Sequence, residues 1–256
     1  MRLIDRVAVV TGAGSGIGRA VACALAAEGA DVVLAGRREA PLVELAEEIR
    51  LGGPRAIVVP TDVSIEAEVK TLFAQAVEEC GRIDVLVNAA AGPGDEVNVA
   101  NMEMATWQAM LDTALTGTML CVRECLTRSM LSRRAGAIVN ISSGAGLHGL
   151  AGKSHLSAAK AGLLQFSAAV AREVGPQGVR VNCIVPGAVS TERVEEYYHR
   201  LAAARGLDYE RIVEEVSRGT AQSRHVSVAE VAQAVVFLAT DQSSGITAQT
   251  LEVGGV

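Results

Sequence analysis

The residues of this chain that could do chemistry stand at the ends of apolar runs. Thr11-Gly12-Ala13-Gly14-Ser15-Gly16-Ile17-Gly18 follows the run Val7–Val10. It leads into a segment where Ile17, Val21, Ala24 and Leu25 recur at helical spacing, with Gly29 as a stop. A strand passing through a glycine-rich turn into a helix is an anion site. The turn's amides and the helix N-terminus point at the charge, and the missing side chains let a pyrophosphate approach. Glycine alone could mean only a tight turn, but a second apolar run, Asp31–Leu34, completes a βαβ unit of the dinucleotide-binding kind. That run ends in Gly36-Arg37-Arg38. An acid at this place accepts a bond from a ribose 2′-OH, whereas a base suits a 2′-phosphate, so Arg37 and Arg38 favour NADP(H) over NAD(H). The bland alternative is a solvated basic loop pairing with Glu39.

The elements that must position these residues alternate along the chain. Helices are expected at 40–51, 66–79 (with Ser64 as N-cap), 104–134, 155–174 and 228–239. Strands are expected at 56–59, 83–88, 137–141, 179–185 and 249–253. This pattern predicts a single-domain Rossmann-type α/β fold over residues 1–256, a doubly wound parallel sheet with helices on both faces. Ligands of such a sheet lie at the carboxyl ends of the strands. The glycine turn, Arg37, Asp62, Asn88, Ser143 and Pro186 all follow strands, so they should meet at one edge. Small residues in Ala89–Gly94 leave room for a ligand. The stretch 190–223 is dense in charge, holds Tyr197, Tyr198 and Tyr209, and is expected to be a helical lid over that edge.

Composition narrows the partners. The 256 residues are 50% hydrophobic and carry a net charge of −6, which disfavours nucleic acid. No apolar stretch reaches the length of a membrane span, and no signal peptide is recognisable, so a cytoplasmic protein is expected. Five cysteines, scattered and without a C-x-x-C pair, are expected to be reduced thiols, and no metal site is expected.

Taken together, Thr11–Gly18, Asp62-Val63, Asp84–Asn88, Ile138–Ser143, Lys160-Ala161-Gly162, Arg180-Val181-Asn182, Pro186-Gly187 and Thr191 resemble the short-chain dehydrogenase/reductase family. The nearest subgroup is the β-ketoacyl-carrier-protein reductases. The resemblance implies that Gly12, Ser15, Gly16, Ile17 and Gly18 hold the pyrophosphate and that Asp62, with Val63, holds the adenine. It places Asn88 along the ribose, and Thr191, after Pro186-Gly187, near the nicotinamide amide. It also implies a homotetramer, built on the helices 104–134 and 155–174. In the family's chemistry a Tyr four residues before a Lys exchanges the substrate proton. The Lys lowers that phenol's pKa and binds the nicotinamide ribose, and a Ser on the preceding strand end fixes the carbonyl oxygen.

Here Lys160 and Ser143 are present, but the Tyr position is Leu156, which can neither give nor take a proton. Ala114 stands where the family usually has an Asn seven residues after the Trp, here Trp107, and Ala89 stands at a second usual Asn. The cofactor half is kept and the proton-relay half is stripped. Three readings follow. The first is an atypical NADP(H)-dependent oxidoreductase acting on a carbonyl or activated enoyl group of a small apolar substrate. Its proton would come from water held by Ser143 and Lys160, from His148, or from the lid's Tyr197, Tyr198 and His199. The second is a non-redox cyclase, dehydratase or isomerase on the same fold. The third is a cofactor-binding pseudo-enzyme or scaffold. His155 adjoins Leu156 but points about 100° round the helix, so it is assigned a structural role.

Overall fold

In the computed structural model, which describes residues 1–92, 94 and 96–255, the apolar runs form seven strands and the periodic segments between them form helices. In chain order these are β1 (Val7–Thr11), α1 (Gly16–Ala27), β2 (Asp31–Gly36), α2 (Glu39–Leu51), β3 (Ala56–Pro60), α3 (Glu66–Cys80) and β4 (Val85–Asn88). A long helix, α4 (104–133), precedes β5 (Gly136–Ile141), α5 (Ser154–Val174) and β6 (Val179–Pro186). Two helices in the stretch expected to be a lid, α6 (Glu192–Arg205) and α7 (Tyr209–Arg218), then α8 (Val228–Ala239) and β7 (Thr250–Val253) complete the described chain. The strands lie in the order β3-β2-β1-β4-β5-β6-β7. Every neighbouring pair is parallel.

A parallel sheet buried on both faces needs runs that are apolar throughout, and β1 and β4 are buried at every position. One face packs Val21 and Leu25 of α1, Leu42 and Leu45 of α2, and Val231 and Val235 of α8. The other packs Leu72 and Phe73 of α3, Leu120 and Leu126 of α4, and Val170 and Val174 of α5. The register sets Thr11 beside Asn88 and Asn88 beside Asn140. The strand ends that carry chemistry therefore share one edge.

Local details differ from the sequence expectations. Ser64 does not cap α3. Its N–H and its hydroxyl both donate to Asp62 Oδ1, at 3.0 and 2.6 Å, and Ile65 takes the cap position. The predicted helix 104–134 is continuous but contains two π-helical turns, Asp112–Thr116 and Leu126–Met130. Thr118 and Thr127 donate to carbonyls one turn back (Ala114 O, 3.1 Å; Arg123 O, 2.8 Å), a side-chain bond that competes with the backbone ladder. After β5 the chain closes into a helical turn at Ala145–His148. The lid has its own small core of Tyr198, Ala202 and Ile212. Among the described residues, no helix is long and apolar enough to cross a membrane, no His/Cys/Asp/Glu group could hold a metal, and all five cysteines are free thiols.

Candidate active site

The glycine turn after β1 is folded as tightly as backbone allows. A Cβ on Gly18 would lie 2.1 Å from Gly12 O, and one on Gly12, at φ +67°, would lie 2.8 Å from the Ala89 backbone. Only hydrogen fits at either position. Ser15 stands at the N-cap of α1 without a side-chain cap bond, and the first turn holds no acid. The helix's leading amides and its dipole are left for an external anion. Gly16 and Ile17 open α1 beneath this turn.

Asn88, at the end of β4, is buried. Its amide donates to Asn140 Oδ1 (2.8 Å), and Asn140 donates to Ser167 Oγ (2.8 Å). Asn88 Oδ1 has no partner among the described residues. A buried orphan acceptor calls for a donor from outside the chain, and a ribose hydroxyl is such a donor. The cradle and the orphan acceptor together fit a nicotinamide dinucleotide. Asp62 is half-buried and Val63 buried, with the Asp62 N–H donating to Glu68 Oε2 at 2.7 Å. Arg37 and Arg38 are exposed, and among the described residues neither pairs with Glu39 or any other acid. The pairing with Glu39 is therefore not formed, although the loop itself is exposed to solvent.

At the other end of this edge a cleft of about 320 Å³ is lined by Ser143, Leu156 and Lys160 on one side and Pro186, Gly187 and Thr191 on another. Lys160 is buried and its Nζ donates to Ile141 O at 2.7 Å. Burial brings its ammonium down to about 8; the Cys183 thiol opposes the fall, and the Arg193 guanidinium adds to it. Ser142 Oγ donates to Lys160 O (3.1 Å), tying α5 to the end of β5. Ser143 Oγ accepts from the Ala145 N–H at 3.3 Å, and Ser143 lines the cleft. Thr191 caps α6 by accepting from the Val194 N–H at 3.3 Å.

The proposed substitutes for the missing phenol fare unequally. His148 is exposed at the end of its helical turn and does not line the cleft. Tyr198 is not a pocket residue either. It is buried in the lid's own core, its hydroxyl within 2.9 Å of His225 Nε2, and burial pushes the phenol up to about 12. His199 stacks on Tyr209 at 4.4 Å. Tyr197 does line the cleft, but its hydroxyl donates to Glu96 Oε1, and burial together with that carboxylate raises its pKa. His155 is buried and both its ring nitrogens lack a partner among the described residues. It does not line the cleft, in keeping with its structural assignment. Of the small-residue loop Ala89–Gly94, Ala89, Ala91, Gly92 and Gly94 line the cleft, and Pro93 lies outside the described residues.

Charged side chains reach this mostly apolar cleft. Lys153, Arg193 and Arg200 also line it, and the sequence reading missed them. The signal was present: Arg193, Tyr197 and Arg200 fall at i, i+4 and i+7, one face of α6.

Residues 6–202 match the family described as short chain dehydrogenase. The chain belongs to this family. Among its relatives, the short-chain reductase protein NovJ of Streptomyces niveus is 39% identical over 98% of this chain and 93% of its own. A 3-oxoacyl-(acyl-carrier-protein) reductase of Synechocystis is 37% identical over 99% and 97%. Among solved structures, an actinorhodin polyketide ketoreductase variant with NADPH superposes at a TM-score of 0.93 with 33% identity, covering 98% of this chain and 96% of that one. A xylitol dehydrogenase with bound NAD+ reaches 0.94 at 27% identity, with full coverage of both chains. Against this family background Leu156 is the residue facing Lys160 from one helical turn earlier.

Proposed function

We propose that this chain is an NADP(H)-dependent oxidoreductase that acts on a carbonyl or activated enoyl group with a non-standard proton donor. The observation that carries this reading is convergence: the glycine cradle, the orphan Asn88 acceptor, Ser143 and Lys160 all stand on one edge of the sheet. The cofactor, when bound, supplies or accepts a hydride. Its pyrophosphate is held by Gly12–Gly18, its adenine beside Asp62 and Val63, its 2′-phosphate by Arg37 and Arg38, and its nicotinamide end by Asn88, Lys160, Thr191 and Pro186-Gly187. Ser143 donates to the substrate oxygen. Lys160, buried and easily deprotonated, is the proton source, directly or through a water shared with Ser143. Leu156 presents methyl groups where a phenol would stand. The protein is cytoplasmic, and it assembles as a homotetramer through α4 and α5, a reading supported by exposed apolar residues such as Met104 at the start of α4.

One observation favours a second reading. All three tyrosines are engaged elsewhere: Tyr197 with Glu96, Tyr198 with His225 and Tyr209 with His199. With no phenol free to move a proton, redox turnover would be slow. The chain would then be a non-redox cyclase, dehydratase or isomerase, or a cofactor-binding scaffold. Fluorescence titration with NADPH and NADH, followed by nicotinamide absorbance over a panel of ketones and enones, decides between them. NADPH oxidation supports the reductase. Tight NADPH binding with no absorbance change for any substrate overturns it.

A further inference from the structure

The cleft at Lys160 carries a charge that hydride and proton transfer do not require. Four cations line it, Lys153, Lys160, Arg193 and Arg200, and among the described residues no Asp or Glu does. This is not a general property of the chain, whose net charge is −6. Lys160 is held at Ile141 O, and Lys153 is engaged with Glu96 at 3.9 Å and lies over the Tyr197 ring at 3.9 Å. The lid arginines differ. Arg193 Nη2 donates to Gly92 O at 2.9 Å, a neutral acceptor that uses one of five N–H groups. Arg200 is exposed at the cleft, and among the described residues neither arginine pairs with a carboxylate. The acids of α6, Glu192, Glu195 and Glu196, are exposed and do not line the cleft.

We propose that the cleft takes a substrate bearing a carboxylate or phosphate group, which Arg193 and Arg200 hold while its carbonyl lies at Ser143. The inference rests on the reading of this cleft as the reacting site. Planar guanidinium groups match the paired oxygens of such anions, and a cleft lined by one sign of charge concentrates them. Apolar Ala89, Leu156 and Val189 line the same cleft and suit the carbon skeleton. The substrate is thus an apolar body with an anionic handle.

Calorimetric titration of the NADP+-loaded protein tests this without needing turnover. Three probes share one ketone: acetoacetate, (2-oxopropyl)phosphonate and neutral ethyl acetoacetate. A charge-assisted bond contributes about 1.5–3 kcal/mol, so the better anion should bind roughly ten- to a hundredfold tighter than the ester. Whichever anion binds tighter tells a carboxylate from a phosphate handle. The R193Q/R200Q double variant should lose that margin, and R200Q alone should lose part of it. Equal binding of all three probes overturns the proposal, as does a margin that survives in the double variant. A fall in NADP+ affinity in R193Q with the acetoacetate margin intact also overturns it, because the guanidinium would then serve the cofactor. If NADP+ does not bind at all, the reductase reading fails by itself. The same ordering is then sought in the cofactor-free protein, where its absence overturns the inference.

Discussion

The two edges of the sheet each carry a cavity with arginines, and they use charge in opposite ways. The cavity at the amino ends of the strands is the larger, about 400 Å³, and is lined by Arg2, Arg6, Arg180, Asp84 and Asp241. Its charges are satisfied within the chain. The Asp84 carboxylate is nearly inaccessible and accepts from the Val7 N–H (2.9 Å), Arg133 (2.7 Å) and Arg82 (3.1 Å), with Arg6 at 3.5 Å. Arg180 donates to Leu238 O, Thr240 O and Ser243 Oγ. At the carboxyl edge, by contrast, Arg37, Arg38 and Arg200 have no carboxylate partner among the described residues, Arg193 has only a carbonyl, and Asn88 Oδ1 has nothing. A buried group satisfied within the chain, such as Asp84, holds the fold, whereas the buried Asn88 Oδ1 is left for a donor from outside it.

The contrast is broken most directly at Asp84. Burial pushes its carboxyl up, but the Val7 N–H and the Arg133 and Arg82 guanidinium groups outweigh that and hold it below the usual range. Asp84→Ala strands those donors. Removing one partner of a buried ion pair costs on the order of 3–5 kcal/mol, and because the arginines are partly exposed the lower end, ~3 kcal/mol, applies. Thermal unfolding should fall by about 6–12 °C, with the affinity for NADPH of the folded protein unchanged. A stable Asp84→Ala variant, or one that folds normally and binds NADPH poorly, would remove the distinction between the two edges.

Sequence disclosed the carboxyl edge better than the amino edge because its residues announce themselves locally. The glycine turn, Arg37-Arg38 and the strand-end Asn88 follow from short-range pattern, and the alternation of strands and helices gives the parallel sheet, while the strand order is set by long-range pairing. That Leu156 stands where a phenol is expected comes from the family resemblance, which sets a Tyr four residues before the Lys. Long-range partners were not legible. Nothing near Asp84 in sequence points to Val7 or Arg133, and nothing near Tyr197 points to Glu96, a hundred residues away. Composition makes His148 and Tyr198 plausible donors, but Tyr198 is buried against His225 and the exposed His148 does not line the cleft. Arg193 was visible as charge but not as a cleft residue, since which face of a lid helix turns inward is set by packing.

At the carboxyl edge, substitutions should move binding and rate while leaving stability alone. Arg37→Asp should reverse the cofactor preference from NADPH to NADH. Losing one charge-assisted bond and adding repulsion is worth roughly ten- to a hundredfold in the ratio of the two dissociation constants. Equal affinity of the unmodified protein for both cofactors would show that the pair of arginines is solvent-facing only. Leu156→Tyr should raise NADPH-dependent reduction of a simple ketone by at least about tenfold. It should fall short of the 10⁴-fold upper range for a general acid, since Ala114 cannot rebuild a proton relay. Leu156→Phe adds the ring without the hydroxyl and serves as the control. Matching rates for the Tyr and Phe variants would mean that proton supply at position 156 is not what limits the enzyme.

The smallest expected effect concerns the proton that remains. If Lys160 is the donor, reduction needs its ammonium, whose pKa burial brings down to about 8. The protonated fraction then falls about tenfold between pH 7 and pH 9, and kcat/KM for ketone reduction should fall with it. Oxidation of the corresponding alcohol needs the free amine, so its kcat/KM should rise over the same interval. Opposite signs in the two directions separate proton donation by Lys160 from a general loss of fold or cofactor at high pH, which would depress both. In Leu156→Tyr the phenol takes over the transfer, and the fall near pH 8 in the reductive direction should weaken or move. A reductive profile that is flat from pH 7 to 9 in the unmodified protein would mean that Lys160 only orients its neighbours. Water at Ser143 would then have to carry the proton.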